Sequence, residues 1–79
     1  MNRNEAAIAR KYRKTSDAAL RAPRDAATRD GDAASAKWIA ARDRHDMEAM
    51  KTHAIDMNTH YDLFAETAFI LSCRNANTF

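Results

Sequence analysis

Apolar side chains recur at alternating spacings of three and four residues through the C-terminal half of the chain. The positions in this series are Met47, Met50, Ala54, Met57, Tyr61, Phe64, Ala68 and Leu71. Every position in the series is apolar or aromatic, which indicates a helix with one continuous seam. We therefore predict that this seam forms either the core of a helical bundle or a homodimer interface.

The last part of the chain is apolar on several faces at once. Leu63, Phe69 and Ile70 lie outside the seam, so the helix between 61 and 71 is apolar nearly all round, as is typical of a central helix in a bundle. Residues 13–37 contain only one large aliphatic side chain, Leu20, and cannot cover that surface. This mismatch predicts a homodimer formed through the C-terminal helix, or a partner protein that covers the remainder.

The N-terminal elements are predicted from caps and breaks. Asn2 followed by Glu5 has the spacing of a capping box, which starts a helix at about 3–21. Pro23 cannot donate a backbone hydrogen bond, so this helix should end before it. Pro23 suits the first position of a new short helix at 23–30.

Gly31 should end the short helix, and Asp32 should cap a long helix over about 32–57. The seam continues into 59–73, and an unbroken helix through both would be about 64 Å long. A compact chain of this size is only about 30 Å across, so we expect a break at Asn58–Thr59, although the undisturbed seam favours continuity. The alternative is that the chain oligomerises along an unbroken helix.

These patterns predict an all-α fold for a single domain spanning 1–79, a small bundle of three to four helices with the C-terminal helix at its centre. Composition supports the same fold class, because alanine is abundant while glycine and proline occur once each. A single glycine also excludes the glycine-rich phosphate loops of Rossmann and P-loop proteins.

Charge is distributed unevenly although the net charge is only +2. Residues 1–31 carry eight basic and four acidic side chains, whereas residues 32–79 carry five basic and seven acidic ones. The basic cluster Arg10, Lys11, Arg13 and Lys14 surrounds Tyr12, a pattern that suits either a phosphate backbone or an acidic protein surface.

Candidate chemistry is sparse. His53, Asp56 and His60 share one helix face, but three such groups on one straight helix seldom converge on a metal, and we expect these histidines and His45 to be structural. Cys73 is the only cysteine, so no internal disulfide forms. We predict no enzyme activity, no cofactor and no metal, no membrane association, and a cytoplasmic location.

We therefore expect a helical protein-binding module, a small regulator or inhibitor that occupies a surface of a larger protein or complex. One version is a mobile-element protein that blocks a host defence or nucleic-acid-handling complex, with acidic side chains imitating phosphates; these are Asp43, Asp46, Glu48, Asp56, Asp62 and Glu66. The predicted partner-binding residues are Arg10, Lys11, Tyr12, Arg13, Lys14, Trp38, Asp43, Asp46 and Glu48.

The alternative is a small dimeric nucleic-acid-binding regulator that uses the basic N-terminal helix. Segment 23–42 resembles a helix-turn-helix in outline, with Gly31 as the turn. Asp30 and Asp32 flank that glycine, where the motif has apolar residues. Trp38 is either an anchor in the core or an exposed binding residue.

Overall fold

The computed structural model describes residues 2–76, which form three helices. Helix α1 spans Arg3–Lys11, α2 spans Asp17–Asp43 and α3 spans Met47–Ala76. Helices α2 and α3 form an antiparallel hairpin, while α1 packs against α3 at the open end of that hairpin. The all-helical prediction is confirmed for the residues described, and so is the bundle-like packing of two helices.

The first helix begins as predicted and ends earlier. The Asn2 side chain accepts a hydrogen bond from the Glu5 backbone at 2.8 Å, and the Glu5 carboxylate accepts one from the Asn2 backbone at 3.1 Å. The prediction that the helix runs to about 21 is wrong. The Ser16 hydroxyl accepts from the backbone N–H of Ala19 at 3.1 Å, and this cap starts a separate helix at Asp17.

Helix α2 continues through both residues that were expected to interrupt it. Pro23 and Gly31 lie inside the helix, so the predicted short helix at 23–30, the turn at Gly31 and the cap at Asp32 are wrong. The helix-turn-helix outline over 23–42 is wrong for the same reason. Four buried residues of α2 are spaced seven positions apart and have small or aliphatic side chains, namely Leu20, Ala27, Ala34 and Ala41. Pro23 cannot donate a backbone hydrogen bond, so α2 lacks one bond at this position. Burial of these four residues against α3 stabilises the helix despite the missing bond.

The chain reverses at residues 44–46. The N–H of Asp46 donates to the Ala41 carbonyl at 2.9 Å and the N–H of His45 donates to the Arg42 carbonyl at 3.0 Å, the pairing of a Schellman motif. His45 takes the left-handed conformation that this motif needs, with φ of 58°. The Asp46 side chain then accepts from the Ala49 N–H at 3.1 Å and caps the start of α3.

Helix α3 is unbroken from Met47 to Ala76, so the break predicted at Asn58–Thr59 is wrong. The Thr59 hydroxyl donates to the Ile55 carbonyl at 2.9 Å, which satisfies the side chain within the helix instead of capping a new one. The predicted helix at 32–57 is also wrong, because the true break at residues 44–46 divides it between α2 and α3.

The single glycine lies directly against the Tyr61 ring of α3. A Cβ atom at Gly31 would lie 2.5 Å from Cε1 of Tyr61, closer than two carbon atoms can approach. The Tyr61 hydroxyl donates to the Asp32 carboxylate at 2.9 Å, which fixes the ring over the glycine. This hydrogen bond raises the pKa of Tyr61 above its ordinary value. Gly31 is therefore a packing residue and not a turn residue.

The predicted seam of α3 is only partly covered. Met50, Met57, Tyr61 and Leu71 are half-buried, but Met47 is 69% exposed and Phe64 is 38% exposed. Two residues outside the predicted seam, Thr67 and Ile70, are buried instead. Because α3 packs against α2 and also against α1, its C-terminal half is covered over a wider arc than one seam.

The molecule is long and narrow. Its principal extents are 47 × 25 × 18 Å and its radius of gyration is 15.3 Å, against about 12 Å for a compact chain of this length. No helix among residues 2–76 is long and apolar enough to cross a membrane.

Candidate functional site

Basic side chains gather at the open end of the hairpin. We call this region the basic end and define it as residues 2–25 and 66–76. It carries four acidic side chains, Glu5, Asp17, Asp25 and Glu66, and eight basic ones, Arg3, Arg10, Lys11, Arg13, Lys14, Arg21, Arg24 and Arg74. The remaining described residues carry five basic and seven acidic side chains, so the excess of positive charge lies at the basic end.

Glu66 joins α1 to α3. Its carboxylate accepts hydrogen bonds from Lys11 Nζ at 3.0 Å and from the Tyr12 hydroxyl at 2.8 Å. The hydrogen bond from Lys11, followed by that from Tyr12, lowers the pKa of Glu66 below its ordinary value. Partial burial, together with the neighbouring carboxylate, raises the pKa of Tyr12. Lys11 and Tyr12 therefore hold α1 in place.

Arg74 holds the connector between α1 and α2. Its Nη1 donates to the Asp17 carboxylate at 2.8 Å, and its Nη2 donates to the Tyr12 carbonyl at 3.0 Å. The Arg74 side chain is only 24% exposed, so these contacts give it a fixed position. Together Arg74 and Glu66 attach both ends of the connector to α3.

The predicted partner-binding residues divide between two places. At the basic end, Arg10, Arg13 and Lys14 are exposed, while Lys11 and Tyr12 are occupied by Glu66. The other four predicted residues, Trp38, Asp43, Asp46 and Glu48, lie near the hairpin turn. Helix α2 has 27 residues and is about 40 Å long, so the two groups do not form one surface.

Contacts near the turn give the predicted residues local roles. The guanidinium of Arg42 lies 5.5 Å from the centre of the half-buried Trp38 ring and 3.4 Å from the Asp43 carboxylate. Asp46 caps α3, and Glu48 lies in its first turn, where a negative charge stabilises the helix.

The histidines do not converge. His60 Nε2 lies 3.2 Å from the Asp56 carboxylate one turn earlier, and His53 is half-buried on the same helix. Within residues 2–76, no group of three histidine, cysteine, aspartate or glutamate side chains could hold a metal ion. Asp56 thus has His60 as a neighbour, and Asp43 has Arg42.

Two open cavities lie at the basic end. The larger, of about 560 Å³, lies between the start of α2 and the end of α3 and is lined by Asp17, Arg21, Arg24, Ala68, Leu71, Ser72, Arg74 and Asn75. The smaller, of about 340 Å³, lies between α1 and α3 and is lined by Ala9, Arg13, Ile70 and Arg74. Sequence reasoning missed Arg21, Arg24 and Arg74 as neighbours, because only the α2–α3 pairing brings residue 74 beside residues 21–24.

No known protein family, curated protein or solved structure matches this chain.

The Glu66 contacts predict a dependence of α1 docking on pH. A carboxyl group whose folded pKa is lowered stabilises the fold above its unfolded pKa, and this stabilisation is lost as pH falls through the folded pKa. We expect amide exchange in α1 to accelerate as the pH falls below the ordinary pKa of 4.5, because Lys11 and Tyr12 lose the carboxylate.

The matched variant is Glu66→Gln, which keeps the size of the side chain and an acceptor for Tyr12. In this variant, exchange in α1 should already be faster at neutral pH, and its acid-dependent step should be smaller than in the wild type, because the Glu5 carboxylate of the capping box remains. Exchange corrected for intrinsic rates and measured by NMR tests the prediction. An identical pH profile in the wild type and the variant would contradict it.

Proposed function

We propose that this protein is a non-enzymatic helical protein-binding module, a small regulator or inhibitor that acts by occupying a surface of a larger protein. The observation that carries the proposal is its large accessible surface. The chain exposes 5606 Å², whereas a compact protein of 8.9 kDa exposes about 4,800 Å². The excess of about 800 Å² follows from the elongated shape of the chain, which leaves large apolar side chains of α3 exposed, among them Met47, Ile55 and Phe64.

The basic end is the part of the surface best suited to contact the partner. Arg10, Arg13 and Lys14 are exposed there on and just after α1. Residues 26–65 carry seven acidic and five basic side chains, so an acidic partner would be attracted to the basic end more strongly than to the rest of the surface. The charge distribution therefore favours contact through the basic end.

The finer version of the proposal is that the chain is encoded by a mobile element and acts in the cytoplasm against a host defence or nucleic-acid-handling complex. Its support is the small size of the chain and the lack of a catalytic motif. A homodimer formed through α3 is a further part of this version, supported by the exposure of Met47, Ile55 and Phe64.

A second candidate, a dimeric nucleic-acid-binding regulator, is favoured by the same exposed cations beside Tyr12. The two functions differ in their response to salt. Binding to phosphates weakens steeply on a log–log plot of affinity against salt, because each neutralised phosphate releases counterions. A protein interface with apolar contacts should be less sensitive.

The test is affinity capture of the tagged protein from lysate of its native or host cell, with and without nuclease, read by mass spectrometry. The variant Arg10→Gln/Arg13→Gln/Lys14→Gln removes three exposed charges from the basic end. Its control, Arg29→Gln/Lys37→Gln/Lys51→Gln, removes three exposed charges elsewhere. We expect a nuclease-resistant, stoichiometric partner whose recovery falls about ten-fold in the variant and less than about two-fold in the control.

Two results would overturn the proposal. Loss of every captured protein after nuclease treatment would favour the nucleic-acid-binding alternative. Equal recovery by the variant and its control would remove the basic end from the interface.

A further inference from the structure

The larger cavity at the basic end has the composition of an anion-binding groove. We call it the arginine groove. Its volume of about 560 Å³ lies within the range of ligand pockets, about 300–1,000 Å³. Three guanidinium groups line it, from Arg21, Arg24 and Arg74, against the single carboxylate of Asp17. The groove therefore has a surplus of positive charge.

One carboxylate already occupies part of this groove. Asp17 lies 2.8 Å from Arg74 Nη1 and 4.0 Å from Arg21 Nη2, and only the first distance is a hydrogen bond. Arg24 contacts Asp25 through Nε at 3.1 Å, which uses one of the five N–H donors of a guanidinium. Arg21 and Arg24 thus retain donor capacity for a further carboxylate.

The groove also offers contacts that are not ionic. Half-buried Ala68 and Leu71 line it, so the methylene groups of an acidic side chain would meet apolar surface. Ser72 and Asn75 are exposed along the same wall and supply hydrogen-bonding groups for a peptide backbone.

We propose that the arginine groove binds the carboxylate side chains of an acidic segment of the partner protein. This inference rests on the proposed protein-binding function and specifies the chemistry of the partner. A guanidinium can form paired hydrogen bonds with a carboxylate. Arg21 and Arg24 retain donors for such bonds, whereas both Nη atoms of Arg74 already donate to Asp17 and to the Tyr12 carbonyl.

Local charges favour an acidic peptide over a nucleic acid. A nucleic-acid strand presents a continuous row of phosphates, each of which needs a nearby cation. Asp17 lies in the groove and Asp25 beside it, and the surface beyond the basic end is net acidic. A short acidic segment can contact Arg21 and Arg24 without extending onto the net acidic surface beyond the basic end.

The experiment follows the arginine Nε–H resonances of the ¹⁵N-labelled protein during titration with a short glutamate-rich peptide. We expect saturable shifts at Arg21, Arg24 and Arg74 and none at Arg29 and Arg42, which lie outside the basic end. A peptide with glutamine in place of glutamate should produce no shifts.

Two variants give the affinity readout. Arg21→Gln/Arg24→Gln should weaken peptide binding about ten-fold, since it removes two charged donors but leaves the structural Arg74 intact. The control Arg29→Gln/Lys37→Gln removes the same charge outside the groove and should change the affinity less than about two-fold.

Three results would overturn this inference: an absence of saturable shifts, equal shifts at Arg29 and Arg42, or tighter binding of an oligothymidylate of matched charge. These failures are distinguishable from failure of the proposed function. If the groove alone is wrong, nuclease-resistant capture persists in Arg21→Gln/Arg24→Gln. If the function is wrong, no such capture occurs with the wild type.

Discussion

Replacing Leu20 with alanine will lower the free energy of unfolding by about 2–5 kcal/mol, the range measured when a buried leucine is truncated. Leu20 is 0% exposed and is among the largest fully buried side chains of the chain. A domain of 79 residues has about 4–12 kcal/mol of stability in total. The variant should therefore lose a large fraction of its stability and unfold at a lower urea concentration, which circular dichroism would show.

The matched control is Ile39→Ala, a truncation of similar size on the same helix at a position that is 42% exposed. We expect it to change the free energy of unfolding by less than about 1 kcal/mol. Equal effects of the two variants would mean that Leu20 is not part of the core.

Gly31→Ala will also destabilise the protein, although alanine favours a helix by about 1 kcal/mol over glycine. The added Cβ would lie 2.5 Å from the Tyr61 ring, and that ring is held by its hydrogen bond to Asp32. Either the ring or the helices must move, and such overpacking costs about 1–3 kcal/mol. Urea denaturation of the variant should give a lower midpoint with an unchanged slope.

The Tyr61→Ala background reverses the sign of this effect. Without the ring, the Cβ at residue 31 has space, and Gly31→Ala should then stabilise the helix by about 0.5–1 kcal/mol. If Gly31→Ala stabilised the protein with Tyr61 present, the close contact would not constrain residue 31.

Sequence reasoning predicted the parts of the fold that depend on local chemistry. The capping box of Asn2 and Glu5 is present, and the apolar C-terminal region forms a helix that packs against both others. Such features are predictable because a cap needs only the residues within one helical turn.

The boundaries inside the chain were predicted poorly because proline and glycine were given too much weight. Pro23 and Gly31 lie within α2, whereas the two connectors, residues 12–16 and 44–46, contain neither proline nor glycine. The connectors are recognised by Ser16 and Asp46, each of which caps the helix that follows it. The buried series at positions 20, 27, 34 and 41 of α2 was not recognised in the sequence, because alanine is abundant on every face of that helix.

The candidate site was predictable only in part. The basic cluster of α1 is contiguous in sequence, but its use of Lys11 and Tyr12 to hold Glu66 depends on a residue more than fifty positions away. The arginine groove is not encoded locally at all, because Arg74 meets Arg21 and Arg24 only after the hairpin has closed.

The tight reversal at residues 44–46 also has a consequence for the order of assembly. Pairs of residues next to the turn are close in sequence, whereas Lys11 and Glu66 are 55 residues apart. Closing a loop of that length costs about 2.5 kcal/mol more in chain entropy than closing a loop of a few residues. We therefore expect α2 and α3 to pair first at the turn and the pairing to advance toward the basic end, so that the arginine groove is the last region to assemble and the first to open.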